Sequence, residues 1–120
     1  MRKENYKRSK DVRISHENRI FILFLANKEK DFTNIEIQKI LNFKTKEQVH
    51  KRTSDLMNKG LICEVGYVEI SNKWHTRYQL TPIELVEVMK QKRYEMQKQE
   101  WFEQGIRKGY IHKNMFKFNY

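Results

Sequence analysis

The 120-residue chain holds one cysteine, one proline and four glycines, and each scarcity excludes a class of protein. A lone Cys63 can close no internal disulfide and complete no paired-cysteine zinc site. So little proline and glycine excludes collagen-like and linker-like chains. The longest apolar run, Ile20 to Ala26, has seven residues, against the roughly 20 that span a bilayer. The basic start Met1-Arg2-Lys3-Glu4-Asn5 is not followed by the apolar stretch of a secretory leader. These absences predict a soluble, cytoplasmic protein with no membrane partner.

Catalytic signatures are equally scarce. His16, His50, His75 and His112 share no close metal-ligand spacing. Neither a Gly-rich phosphate loop nor a nucleophile elbow occurs. Glu64 and Glu69 would face opposite sides of one strand, and Cys63 sits in an apolar stretch where a thiol packs rather than attacks. The reading is a non-enzyme without metal or cofactor.

Positive charge is abundant. Twenty-five Lys and Arg stand against 15 Asp and Glu, a formal net charge of +10. The excess is spread along the chain: +4 in residues 1–13, +3 in 14–81 and +3 in 82–120. Such a distribution suits a polyanionic partner such as nucleic acid, and it equally describes a solvated surface. With 33% charged residues, the core must be small.

The local signals divide the chain into four parts. Residues 1–13 form a basic N-terminal arm or frayed helix start. Ser15 reads as an N-cap, and the run Ile20–Ala26, apolar on every face, as a buried central helix ended by Asn27–Asp31. Thr33-Asn34-Ile35-Glu36 spells a capping box for a short helix stopped by Asn42. Thr45-Lys46-Glu47-Gln48 spells a second, opening a helix that runs to Lys59, with Gly60 able to enter a left-handed conformation after it. Leu61–Ile70 reads as a strand, with Gly66 marking a bulge or an earlier turn, and Trp74–Leu80 as its return across Ser71-Asn72-Lys73. Thr81-Pro82-Ile83-Glu84 places Thr at the N-cap and Pro at the first position of a long helix stopped by Gly105. The expected fold is mainly α with a small β-hairpin (α+β). It is a winged helix-turn-helix over 14–81 with a long helix over 82–104 and a basic aromatic tail over 105–120.

The stretch from Thr45 to Ile62 contains Val49-His50-Lys51-Arg52, then Ser54-Asp55-Leu56, then Lys59-Gly60-Leu61-Ile62, and the hairpin ends Tyr78-Gln79-Leu80-Thr81. It resembles small phage-encoded winged helix-turn-helix proteins over residues 14–81, although Val68–Trp74 is more apolar and less basic than their wing. The resemblance implies sequence-preferring binding of double-stranded DNA by a transcriptional regulator or replication accessory. Residues step by about 100° around a helix. With Val49 and Leu56 inward, Lys46, Glu47, His50, Lys51 and Ser54 face outward, toward a major groove. Lys44, Arg52, Lys73 and Arg77 are the expected phosphate contacts, with an Arg52–Asp55 ion pair the alternative for Arg52.

Alternation puts Lys73, His75 and Arg77 on one hairpin face and Trp74, Thr76 and Tyr78 on the other. Trp74 reads as core or a packing lid. Leu85, Met89 and Met96 form part of a heptad seam, interrupted by Lys92 and Gln99, which predicts a homodimer. In the tail, Tyr110, Phe116, Phe118 and Tyr120 can stack on bases or pack on a partner subunit. The rival reading is a protein–protein interaction adaptor in a larger assembly, favoured by the apolar, acidic wing strand.

Overall fold

Helix α1, Arg2–Ala26, opens the computed structural model, which describes residues 2–109. It runs straight through Ser15, which therefore caps nothing. The physical reason is local: no glycine or proline occurs before Asn27, so the Lys- and Arg-rich arm continues the helix. The apolar run at its end is buried on one side only. Ile20 and Phe24 are fully enclosed, whereas Ile22 and Leu25 remain 61% and 42% exposed.

A two-residue strand β1, Asp31–Phe32, follows, and sequence reasoning did not expect it. It pairs antiparallel with the second hairpin strand, Asp31 opposite Gln79 and Phe32 opposite Tyr78. Helix α2, Asn34–Leu41, opens on the expected capping box. The Glu36 amide donates to Thr33 Oγ1 at 3.2 Å, and the Thr33 amide donates to Glu36 Oε1 at 3.1 Å. Asn42 closes it in the left-handed region, φ 58°. Helix α3, Lys46–Asn58, opens on the second box, with Thr45 and Gln48 exchanging bonds of 3.3 Å.

Strands β2, Ile62–Ile70, and β3, Lys73–Leu80, complete a three-stranded antiparallel sheet of order β1-β3-β2. Ser71 and Asn72 both take positive φ, 51° and 65°. This two-residue turn suits the right-handed twist of a hairpin. The register shifts between Glu64 and Gly66, leaving Val65 as the extra residue of a bulge. The architecture is mixed α+β: four α-helices and one small sheet among the described residues.

Past the sheet, the expected cap at Thr81 does not form. The Thr81 amide instead donates to the Leu61 carbonyl at 3.0 Å, holding the residue to the sheet. Pro82 is extended, a short 3-10 turn spans Ile83–Leu85, and helix α4 begins only at Val86 and runs to Arg107. Gly105 lies inside α4 rather than ending it; the left-handed residue beyond the helix is Gly109, φ 77°.

The core gathers where α1, α2, α3 and β2 meet, through Ile20, Phe24, Ile37, Val49, Leu56 and Ile62. Gly60 joins this core to α4. Its φ is +75°, and a Cβ there would lie 2.3 Å from the Val86 carbonyl oxygen and 2.8 Å from the Lys90 nitrogen. Further along, Arg93 Nε and Gln97 Nε2 donate to Asn58 Oδ1 at 3.0 and 3.1 Å. On the other flank of α3, the His16 ring meets the Phe43 ring edge-on at 5.0 Å. Partial burial, then the nearby Arg19 and Arg52 guanidiniums, push the His16 pKa below its ordinary value.

Two outcomes follow from these contacts. Gly60→Ala should destabilise the domain by about 2 kcal/mol or more, since left-handed strain adds to the collision with α4. Gly109→Ala, with open space around it, should cost only the strain of about 1 kcal/mol. Equal melting temperatures for the two variants would show that α4 does not cross at Gly60. For His16, the unfolded chain takes up the proton first as pH falls. The stability linked to this group is complete above about pH 6.5 and is lost as pH falls through the depressed folded value. Thermal melting between pH 7.5 and 5 should therefore slope less in His16→Gln than in wild type.

Candidate nucleic-acid interface

Burial of Val49 and Leu56, at 0% and 1% exposure, fixes which side of α3 meets solvent. Lys46, Glu47, His50 and Lys51 are exposed, and Ser54 is half-buried at the margin of the same face. Lys44 is exposed in the turn between α2 and α3. Three lysines and one carboxylate thus stand on or beside one helix face, a cationic surface of the width of a single helix.

His50 is held from behind. Asn34, buried at the start of α2, places Nδ2 3.4 Å from His50 Nδ1, and the Thr53 hydroxyl lies 3.0 Å from Asn34 Oδ1. With Asn34 Nδ2 donating, Nδ1 is the acceptor, which leaves Nε2 of the exposed ring for a ligand. Sequence reasoning missed Asn34. Its only local mark is its place beside the Thr33 cap, which says nothing of a partner 16 residues away.

Two of the expected phosphate contacts, Arg52 and Arg77, are engaged within the fold. Arg52 is 9% exposed, and its Nε lies 3.3 Å from Asp55 on the flank of α3 that faces α1. Arg77 is tied inside the fold. Its Nε donates to Asp31 Oδ1 at 2.7 Å, and its Nη2 reaches the Asp31 carbonyl at 3.2 Å and Glu36 Oε1 at 3.3 Å. The hydrogen bond that Arg77 donates to Asp31 raises the Arg77 pKa further, with the Glu36 and Asp31 charges acting in the same direction. The Arg77 guanidinium therefore ties β3 to β1 and α2, while the Arg52 pair stays within α3. Lys73 stays exposed at the hairpin tip.

The hairpin face also differs from expectation. Trp74, paired with Glu69, is 71% exposed, and Tyr67, paired with Thr76, is 64% exposed. Tyr78 on β3 is buried at 5%. Trp74 is thus neither core nor lid: the hairpin extends past the last layer that could cover it. Cys63 is half-buried, with Sγ 3.8 Å from the Gln79 carbonyl oxygen.

Met89 on α4 is half-buried beside Met57 and Ile62, while Leu85 in the 3-10 turn and Met96 on α4 are 39% and 60% exposed. The expected seam is therefore not one free stripe. Tyr110, His112, Phe116, Phe118 and Tyr120 lie outside the described residues. Among those described, no group of three His, Cys, Asp or Glu could hold a metal ion, and no helix is long and apolar enough to cross a membrane. Comparison of the chain with protein families, curated proteins and solved structures finds no match in any of the three.

Arg77→Ala should lower stability by about 1–3 kcal/mol, because it releases β3 from β1 and α2 and leaves Asp31 without its partner. Arg77→Lys should not recover this, since a single ammonium cannot reproduce the fork. Urea unfolding measures both. Wild-type stability in Arg77→Ala, with weakened duplex affinity, would return the guanidinium to the ligand.

Proposed function

We propose that this chain is a winged helix-turn-helix module that binds double-stranded DNA with sequence preference. Its setting is that of a phage or mobile-element transcriptional regulator or replication accessory, and it works as a homodimer. The observation that carries the reading is the outward face of α3, capped at Thr45, buried on its Val49–Leu56 side and presenting Lys46, Glu47, His50 and Lys51. The element order, with α2 and α3 four residues apart and a hairpin after them, supports it.

The chemistry of the face fits a major groove. Lys46 and Lys51 donate to guanine O6 and N7, Glu47 accepts from cytosine N4, and the His50 Nε2–H supplies a further donor. Ser54 reaches either kind of base edge from the margin. Lys44 and Lys73 neutralise phosphates on either side, positioning the helix without reading sequence. No residue is assigned a catalytic role, and no metal or cofactor is needed.

A second reading, a protein–protein interaction adaptor, draws on the hairpin. Trp74 and Tyr67 stand exposed beside Glu69, an aromatic and acidic surface that suits protein better than phosphate.

Selection from a randomised duplex pool at two salt concentrations separates the readings. Enrichment of one inverted repeat supports the regulator, uniform salt-sensitive binding an architectural role, and no binding the adaptor. In the first case, Lys51→Ala should cost about 1–3 kcal/mol and relax the preference at one position. Unchanged affinity after joint replacement of His50 and Lys51 by alanine would remove α3 as the reading helix.

A further inference from the structure

Between α1 and the start of α4 lies a groove of about 500 Å³, lined by Phe21, Leu25, Leu61, Leu80, Pro82 and Val86. Two features make it unusual. Ile83, in the 3-10 turn at its edge, is 89% exposed, more than any other large apolar side chain among the described residues. In its wall, Thr81 Oγ1 is buried with no hydrogen-bond partner, although buried hydroxyls ordinarily find one. Ile22 and Leu25 extend the apolar surface along α1.

We propose that this groove is the contact between two copies of the chain, in which Ile83 of each copy enters the groove of the other. A two-fold contact joins the same patch to itself, so the patch must both project and receive. Here the projection and the cavity lie side by side: Ile83 is itself part of the groove edge. Charge follows the same rule. Lys28 lines the groove, and Glu84 follows Ile83 on the projecting turn, so a reciprocal contact brings each Lys28 toward the partner's Glu84. An exposed apolar patch rimmed by charge is the usual form of a protein contact. On α4, Met89 is already turned onto its own α3 and β2, while Val88, Tyr94, Met96 and Trp101 stay exposed, which makes that helix the competing surface for the test below.

This inference rests on the homodimer part of the functional reading and locates it. It is tested without DNA, by sedimentation equilibrium of the full chain. Wild type should dimerise at tens of micromolar. Ile83→Glu should weaken dimerisation by about a hundredfold or more, since two buried isoleucines are lost per dimer. Its thermal melt as a monomer should stay cooperative, because Ile83 contributes little to its own core. Lys28→Glu should weaken the dimer, and Lys28→Glu with Glu84→Lys should restore it. Met96→Glu should leave it intact. A wild-type monomer at 100 micromolar, about the top of the range tested, overturns the proposal. So does an Ile83→Glu dimer of wild-type strength, or a charge swap without recovery. A dimer of the expected pattern that binds no duplex would keep this contact and remove the DNA reading.

Discussion

Burial of one side of α3 is the constraint from which the candidate interface descends. Val49, Thr53 and Leu56 are enclosed by α1, α2 and β2, and their loss to solvent would expose the centre of the core. A helix has one remaining side, so this burial determines that Lys46, Glu47, His50 and Lys51 point outward together. The ends of the helix are held separately. The Thr45–Gln48 box satisfies first-turn amides, and Gly60 permits the left-handed exit. The rotation of α3 about its axis is then fixed by packing, and its His50 ring by the Asn34 side chain of the neighbouring helix. A reading surface needs such support, because a side chain free to move pays for ordering at the moment of contact.

Arginine and lysine divide the work on this domain. Arg19 donates to the Leu41 carbonyl and lies over the Phe43 ring at 4.6 Å. Arg52 pairs with Asp55, Arg77 with Asp31 and Glu36, and Arg93 with Asn58. Arg19 and Arg77 each join two groups at once, as a fixed planar fork allows. Lys44, Lys46, Lys51 and Lys73, by contrast, stand exposed. Lys59 is the exception, its ammonium 2.7 Å from Glu17 across to α1. The charge available to a polyanion on this side is therefore lysine charge: compact, hydrated and mobile. Contacts of that kind weaken steeply with salt and favour fast association over geometric selection.

What was legible in the sequence is what short-range chemistry determines. Both capping boxes and the Asn42 and Gly60 stops involve groups within a few residues of each other and form as read, while the hairpin turn forms one residue shorter, with Lys73 already in β3. The start of α1 was misplaced because Ser15 resembles a cap, whereas nothing before it interrupts a helix. Strand β1 was invisible because two residues have no periodicity; it exists only by pairing with β3. Arg77 looked free for the same reason, its partner Asp31 lying 46 residues earlier. For Trp74, alternation assigns a face, but whether anything covers that face depends on how far the hairpin reaches past the core. Within the site, the outward set on α3 followed from Val49 and Leu56, while Arg52 needed the position of α1 to be placed.

Gly60 links the two surfaces of the molecule. The absence of a side chain there lets the Val86 backbone approach α3, and Val86 is also a wall of the apolar groove. The residue that ends the proposed reading helix therefore also sets where the groove and the Ile83 projection sit relative to it. In a dimer built through that groove, the separation of the two α3 faces is the product of two such crossings, with no flexible linker between them. Half-site spacing on a duplex is a geometric property of the protein in this arrangement. A shift of α4 at Gly60 would then change spacing preference while leaving the base preference of each α3 face as it was.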